Sequence, residues 1–198
     1  CDRTTGQWKE MQTANAYPVD AGTDSGMIFM AEDIDTMPRD PIALLGEQFG
    51  DPEQVNPVAY VSIAAAMDCE GSIQYELTFV GMWTAEYHPG AWIEQATFSP
   101  MVVAAHSAAY TMWALGGIAT DGIEQVAESG MTALLAGELG ALAGTSVGDY
   151  TIADGPLAMG GEGSFSVKVT LTNAYSYLSM VTMLAPSPDW ITGVSGID

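Results

Sequence analysis

The sequence predicts an all-β fold, an antiparallel β-sandwich with one or two short helices inserted. Three observations carry this. First, apolar and polar residues alternate in short segments. In 73–83, Tyr75, Leu77, Phe79 and Gly81 share one face while Glu76 and Thr78 take the other; in 164–172, Phe165, Val167, Val169 and Leu171 alternate with Ser166, Lys168 and Thr170. A period of two marks a strand of a half-buried sheet. Second, glycine is abundant, at 22 residues, and cuts the chain into short pieces. Third, helical signals longer than a single turn are confined to two neighbouring stretches, 120–130 and 131–142. Many short strands with few helices favour packed sheets.

Taken in order, residues 1–16 are polar and turn-like around Trp8, and the glycine-containing loop 20–26 leads into the short apolar run Met27-Ile28-Phe29-Met30, a candidate buried strand. Acidic Glu32-Asp33-Ile34-Asp35 and the breakers Pro38 and Pro41 follow, and 43–57, with Gly46, Gly50 and Pro52, reads as loop with a helical turn. Residues 58–65 are a strand with β-branched Val61 and Ile63, and 67–72 are linker-like. After the strand 73–83 and a loop through His88-Pro89-Gly90, an apolar stretch spans 101–113, interrupted by His106-Ser107. A helix is predicted from an N-cap at Thr120 or Asp121, through an acidic first turn, to Gly130 just past its end. Residues 131–142 form a second helix, 144–163 a glycine-rich loop around a weak strand, and 177–184 another strand ended by Pro186-Ser187-Pro188. There is no internal repeat of solenoid length.

At 198 residues with 48% hydrophobic content, the chain can bury one sizeable core or two small ones. Its 4 Lys+Arg face 25 Asp+Glu, a net charge of -21. Repulsion therefore disfavours nucleic-acid backbones and anionic membrane surfaces, and cations are the natural partners. No apolar run reaches the roughly twenty residues of a membrane span, and no leader pattern is visible, as expected of a mature form.

The segment Asp20-Ala21-Gly22-Thr23-Asp24-Ser25-Gly26 reads as a cation loop, because its glycines let the backbone curl until Asp20, Asp24 and nearby carbonyls converge. Calcium takes six to eight oxygen ligands, so two aspartates do not complete a site, and the spacing is not that of an EF-hand. The competing reading is an Asx-stabilised surface turn. Two histidines, His88 and His106, lie outside any nucleophile elbow or HExxH pattern; His88 reads as a loop residue and His106 as a core histidine satisfied by hydrogen bonds. The five tryptophans and twelve methionines read as core and rim packing rather than as a sugar groove or a soft-metal box. Cys1 and Cys69 could form one disulfide or stay free, or Cys1 could carry a lipid.

A family resemblance adds to this. Tyr75-Glu76-Leu77-Thr78-Phe79-Val80-Gly81-Met82-Trp83, His88-Pro89, Phe98-Ser99-Pro100, Ala105-His106-Ser107, Trp113, Gly116-Gly117-Ile118-Ala119 and Gly122-Ile123-Glu124-Gln125-Val126-Ala127-Glu128-Ser129-Gly130 together resemble the spondin N-type domain, including its bacterial members. Ser179-Met180-Val181, Pro186-Ser187-Pro188-Asp189-Trp190-Ile191-Thr192-Gly193-Val194 and Tyr17-Pro18-Val19-Asp20 through Gly26 continue the match. The resemblance implies a C2-like β-sandwich, a non-enzymatic, secreted or cell-surface adhesion or structural module, and calcium bound by Asp20, Asp24 and Asp189. It also implies a disulfide between Cys1 and Cys69, in keeping with an oxidising compartment.

The motif order is displaced relative to the family. Residues 1–65 match the C-terminal part of the domain and 69–198 its N-terminal part, with 66–68 as the link, so 1–198 read as one circularly permuted domain. The same order fits one period of a tandem array, or strand exchange between neighbouring copies in a homopolymeric surface filament. Partners other than calcium would be such copies, a surface receptor or a glycan. The reading from another functional class is a hydrolase or carbohydrate-active or carbohydrate-binding protein that uses calcium structurally, which requires a cleft with a perturbed histidine or carboxylate.

Overall fold

The computed structural model describes residues 71–89, 92–157, 159–187 and 189–198, together with the backbone of four strands earlier in the chain. In chain order the strands are β1 (Trp8–Ala14), β2 (Ala16–Asp20), β3 (Met27–Ile28), β4 (Ala59–Cys69), β5 (Ser72–Met82), β6 (Thr97–Phe98) and β7 (Val102–His106). Helices α1 (Asp121–Ser129) and α2 (Ala133–Ala141) follow, then β8 (Val147–Ile152), β9 (Glu162–Thr172), β10 (Tyr177–Ala185) and β11 (Trp190–Ile197). The expected strand at 27–30 is described only at β3; the remainder of that run, the acidic segment 32–35 and the loop 43–57 lie outside the described residues.

Two antiparallel sheets form. The four-stranded sheet runs β1-β4-β5-β9, and the seven-stranded sheet runs β3-β2-β11-β10-β7-β8, with β6 pairing β10 at its end. In β5 and β9 the predicted alternation becomes burial: Leu77, Phe79, Val167 and Val169 face inward, while Glu76, Ser166 and Lys168 are exposed. Inward residues of the second sheet, among them Val103, Ala105, Met180, Trp190 and Val194, complete the core between the sheets. Phe79 stacks on Phe165 and meets Phe98 edge-on, with ring centroids 5.2 and 4.9 Å apart. Aromatic contacts of this kind add to the gain from area burial.

The seven-stranded sheet is covered on its other face as well. Val102, Ala104, Val181, Met183 and Ile191 pack there against Ile123, Val126, Leu135 and Leu139 of the two helices. Every residue of β7 is therefore buried, and so are the central residues of β10. The apolar run at 101–113 carries no alternation because neither face of β7 meets water.

The helices follow the sequence signals. The Thr120 hydroxyl accepts from the Ile123 N–H at 3.3 Å, and Gly130, at φ 68°, ends α1 with its N–H on the Val126 carbonyl. A left-handed residue at that position favours glycine. Glu138 of α2 accepts from the Gly122 N–H at 2.7 Å and from the Thr120 hydroxyl at 2.6 Å. Its carboxylate thereby lies against the positive end of the α1 dipole and fastens the two helices together.

Residues 66–68 run inside β4 rather than as a linker, because β5 continues opposite them: Met67 faces Gln74, Asp68 faces Ile73 and Cys69 faces Ser72. A register shift between Ala65 and Met67 falls at the expected link. On the far side of this sheet, the Thr170 N–H of edge strand β9 donates to the Asp149 carboxylate of β8 at 2.7 Å, a bond that joins the two sheets along one seam.

Candidate metal site

Strand β2 ends at Asp20, which pairs with Met27 of β3, as Val19 does with Ile28. Residues 21–26 between them, read from the sequence as a cation loop, lie outside the described residues. On its other side β2 pairs with β11, Trp190 opposite Pro18 and Ile191 opposite Tyr17. Asp189 directly precedes β11, at the end of the strand pair where β2 stops at Asp20. Two aspartates from opposite ends of the sequence thus share one end of one strand pair. Asp189 is half-buried, and Trp190 after it is 6% exposed and part of the core between the sheets, which fixes the strand that carries the carboxylate. Asp24 and the side chain of Asp20 lie outside the described residues, as do Cys1 and the side chain of Cys69. Among the described residues no three acidic, histidine or cysteine side chains cluster as a metal set. Oxygen donors at the end of a tethered hairpin suit a hard cation, which needs flexible carbonyl and carboxylate ligands.

His106, on β7, is 2% exposed. Its Nδ1 lies 2.9 Å from the Ser107 carbonyl, which can only accept, so Nδ1 carries the proton. Nε2 then accepts from the Ser179 hydroxyl at 2.8 Å, and Ser179 Oγ in turn accepts from the Gly196 N–H at 2.8 Å. Tyr110 and Tyr177 pack against the ring, and burial pushes the histidine below its ordinary pKa despite the bond to Ser107. Burial also pushes Tyr110 up to about 12, helped by the negative charge of Glu138. Ser179 is 0% exposed, so this serine–histidine pair cannot reach a substrate and holds β7, β10 and β11 together. The sequence reading of a satisfied core histidine agrees with this arrangement.

His88, expected to be a loop residue, is in a loop but 9% exposed, stacked on Trp83 at 4.2 Å between ring centroids. No periodic signal in the sequence marks it for burial, because a turn and not a strand carries it. Trp83, Trp113 and Trp190 are core residues and Trp92 is half-buried, its Nε1–H on the Gly160 carbonyl at 3.1 Å; the side chain of Trp8 is outside the described residues. An open cleft at the opposite end of the sandwich, about 330 Å³, is lined by Ile73, Tyr75, Leu171, Asn173 and Asp198 among others. Neither histidine lines it.

The sequence profile of the Spondin_N family matches residues 1–60 and 73–198. Spondin-2 of Homo sapiens is 29% identical over 128 residues, covering 63% of this chain and 39% of that protein. Spondin-1 of Bos taurus is 32% identical over 134 residues, 65% of this chain and 16% of its own length; Spondin-1 of Gallus gallus is 30% identical over 154 residues, 74% and 19%. The chain spans less than half the length of these relatives. With the profile covering nearly all of the two-sheet structure, the chain belongs to the Spondin_N family.

Proposed function

We propose that this chain is an extracellular, non-enzymatic adhesion or structural module that binds calcium through Asp20, Asp24 and Asp189, with backbone carbonyls or water completing the ligand set. One observation supports this above the others: β11, which follows Asp189 directly, pairs with β2, which Asp20 closes, although the two segments lie at opposite ends of the sequence. Carboxylates crowded together on a chain of net charge -21 repel one another, and a divalent cation between them would remove that cost. Calcium would also join the β2–β3 hairpin to the start of β11, so its binding energy becomes folding energy. The displaced motif order is read as a circular permutation whose old termini met at residues 66–68, in the β4 arm of the β4–β5 hairpin. A Cys1–Cys69 disulfide would tie the first residue to the tip of that hairpin.

The test is thermal melting in calcium and in a chelator. Calcium at a hundredfold its Kd should stabilise the fold by about 2.7 kcal/mol. Asp189→Ala should remove most of that difference. Identical melting curves with calcium and with chelator would overturn the reading.

A further inference from the structure

Tyr87, Ile93 and Met159 are large apolar side chains left in water, Met159 to 76%. They come from two separate loops, yet Ile93 and Met159 are each next in sequence to a residue that joins those loops, and Tyr87 is next to His88, which is bonded to Trp92 and stacked on Trp83. The Trp92 N–H donates to the His88 carbonyl at 3.0 Å, Trp92 Nε1–H to the Gly160 carbonyl at 3.1 Å, and the Gly160 N–H to the Ala96 carbonyl at 2.7 Å. Trp83, on which His88 stacks, donates its own N–H to the Gly161 carbonyl at 3.1 Å. The two loops are stitched into one surface at the end of the sandwich where β5 stops and β9 starts, with the three apolar side chains on it.

Exposed Glu86, Glu94 and Glu162 flank the same surface. Between residues 71 and 198 the sequence has one basic residue, Lys168, and that sits in β9 opposite Glu76. Nothing in these loops neutralises the rim. A second copy of the chain would bring another net charge of -21 to it, and nucleic acid or an anionic bilayer would be repelled in the same way. What fits both the apolar centre and the acidic rim is a polypeptide with lysines or arginines around apolar side chains.

We propose that this end of the sandwich docks a basic, apolar-centred polypeptide segment of a partner protein. The proposal rests on the adhesion reading above for its biological sense, and on the calcium reading not at all. It is tested with two peptides of equal length, one alternating Arg with Leu and the other Arg with Ser, titrated at physiological ionic strength and followed by tryptophan fluorescence, since Trp92 borders the surface. The titrations are run both in calcium and in chelator. The Arg–Leu peptide should bind about tenfold more tightly than the Arg–Ser peptide. The double variant Ile93→Ser with Met159→Ser should abolish that preference, while Met131→Ser with Leu134→Ser, exposed apolar residues of the helical layer, should retain it. Equal binding of the two peptides would reduce the effect to general polyanion attraction and overturn the proposal. So would loss of the preference in both double variants, or self-association of the chain that the Ile93/Met159 variant abolishes. A preference that persists in chelator, with melting indifferent to calcium, would sustain this surface while removing the metal site; the reverse pattern would do the opposite.

Discussion

Strands β5 and β9 of the four-stranded sheet are packed on one face and wet on the other, whereas β7 and β10 of the seven-stranded sheet lie between that first sheet and two helices, packed on both. The same backbone pattern therefore leaves two different signatures. In β5 and β9 every second side chain is free to be polar, and Thr78 and Ser166 bond across the outer face at 2.7 Å. In β7 and β10 nearly every side chain is buried, and the polar ones must be satisfied internally, as Ser99 and Thr182 are by each other. The difference teaches where the chain tolerates change.

The sharpest way to break the comparison is at Gly193 of β11. A Cβ there would lie 2.1 Å from the Met180 carbonyl oxygen on the paired strand, so Gly193→Ala must push β10 and β11 apart. We expect a loss of about 4 kcal/mol or more, read as a collapse of the urea midpoint. Next is the helical layer. Leu135 of α2 is 0% exposed, and Leu135→Ala should cost about 2–5 kcal/mol. Ser166→Ala on the wet face should stay within about 0.5 kcal/mol. Comparable costs at the two positions would mean that the helices do not seal the second sheet.

His106 adds a pH dependence to the doubly packed sheet. Its folded pKa lies below the ordinary 6.5, so the unfolded chain takes up the proton first. Stability from this group is complete above about pH 6.5 and is lost as the pH falls toward the lower folded value. Unfolding midpoints measured from pH 7.5 downward should show this decline relative to His106→Asn, which removes the titrating group. Parallel profiles for the two proteins would sink the assignment. A change of the opposite sign sharpens the contrast from the other side. Thr192 Oγ1 is buried with no hydrogen-bond partner among the described residues, and Thr192→Val should raise stability by about 1 kcal/mol, seen as a higher Tm.

The same contrast explains what the sequence could disclose. Strands β5 and β9 are legible from alternation, and α1 from Thr120 and Gly130, because each signal is local. β7 is not legible by period, since two covered faces erase the alternation. Residues 66–68 looked like linker because their strand character comes from the partner β5 rather than from their own composition. That Asp189 precedes β11 at the end of β2 which Asp20 closes is a matter of pairing between β2 and β11, to which neither segment's pattern points. The surface formed by Tyr87, Ile93 and Met159 was equally hidden, because hydrogen bonds between loops build it.

The bond from the Thr170 N–H to the Asp149 carboxylate has a consequence for how such chains behave in a crowd. An edge strand recruits a stranger by offering it unpaired N–H groups, and here one in β9 is already taken by a carboxylate from the facing sheet. A newcomer would have to displace it and lie beside its negative charge. At that position the seam takes away one of the free backbone donors through which edge strands pair with other chains.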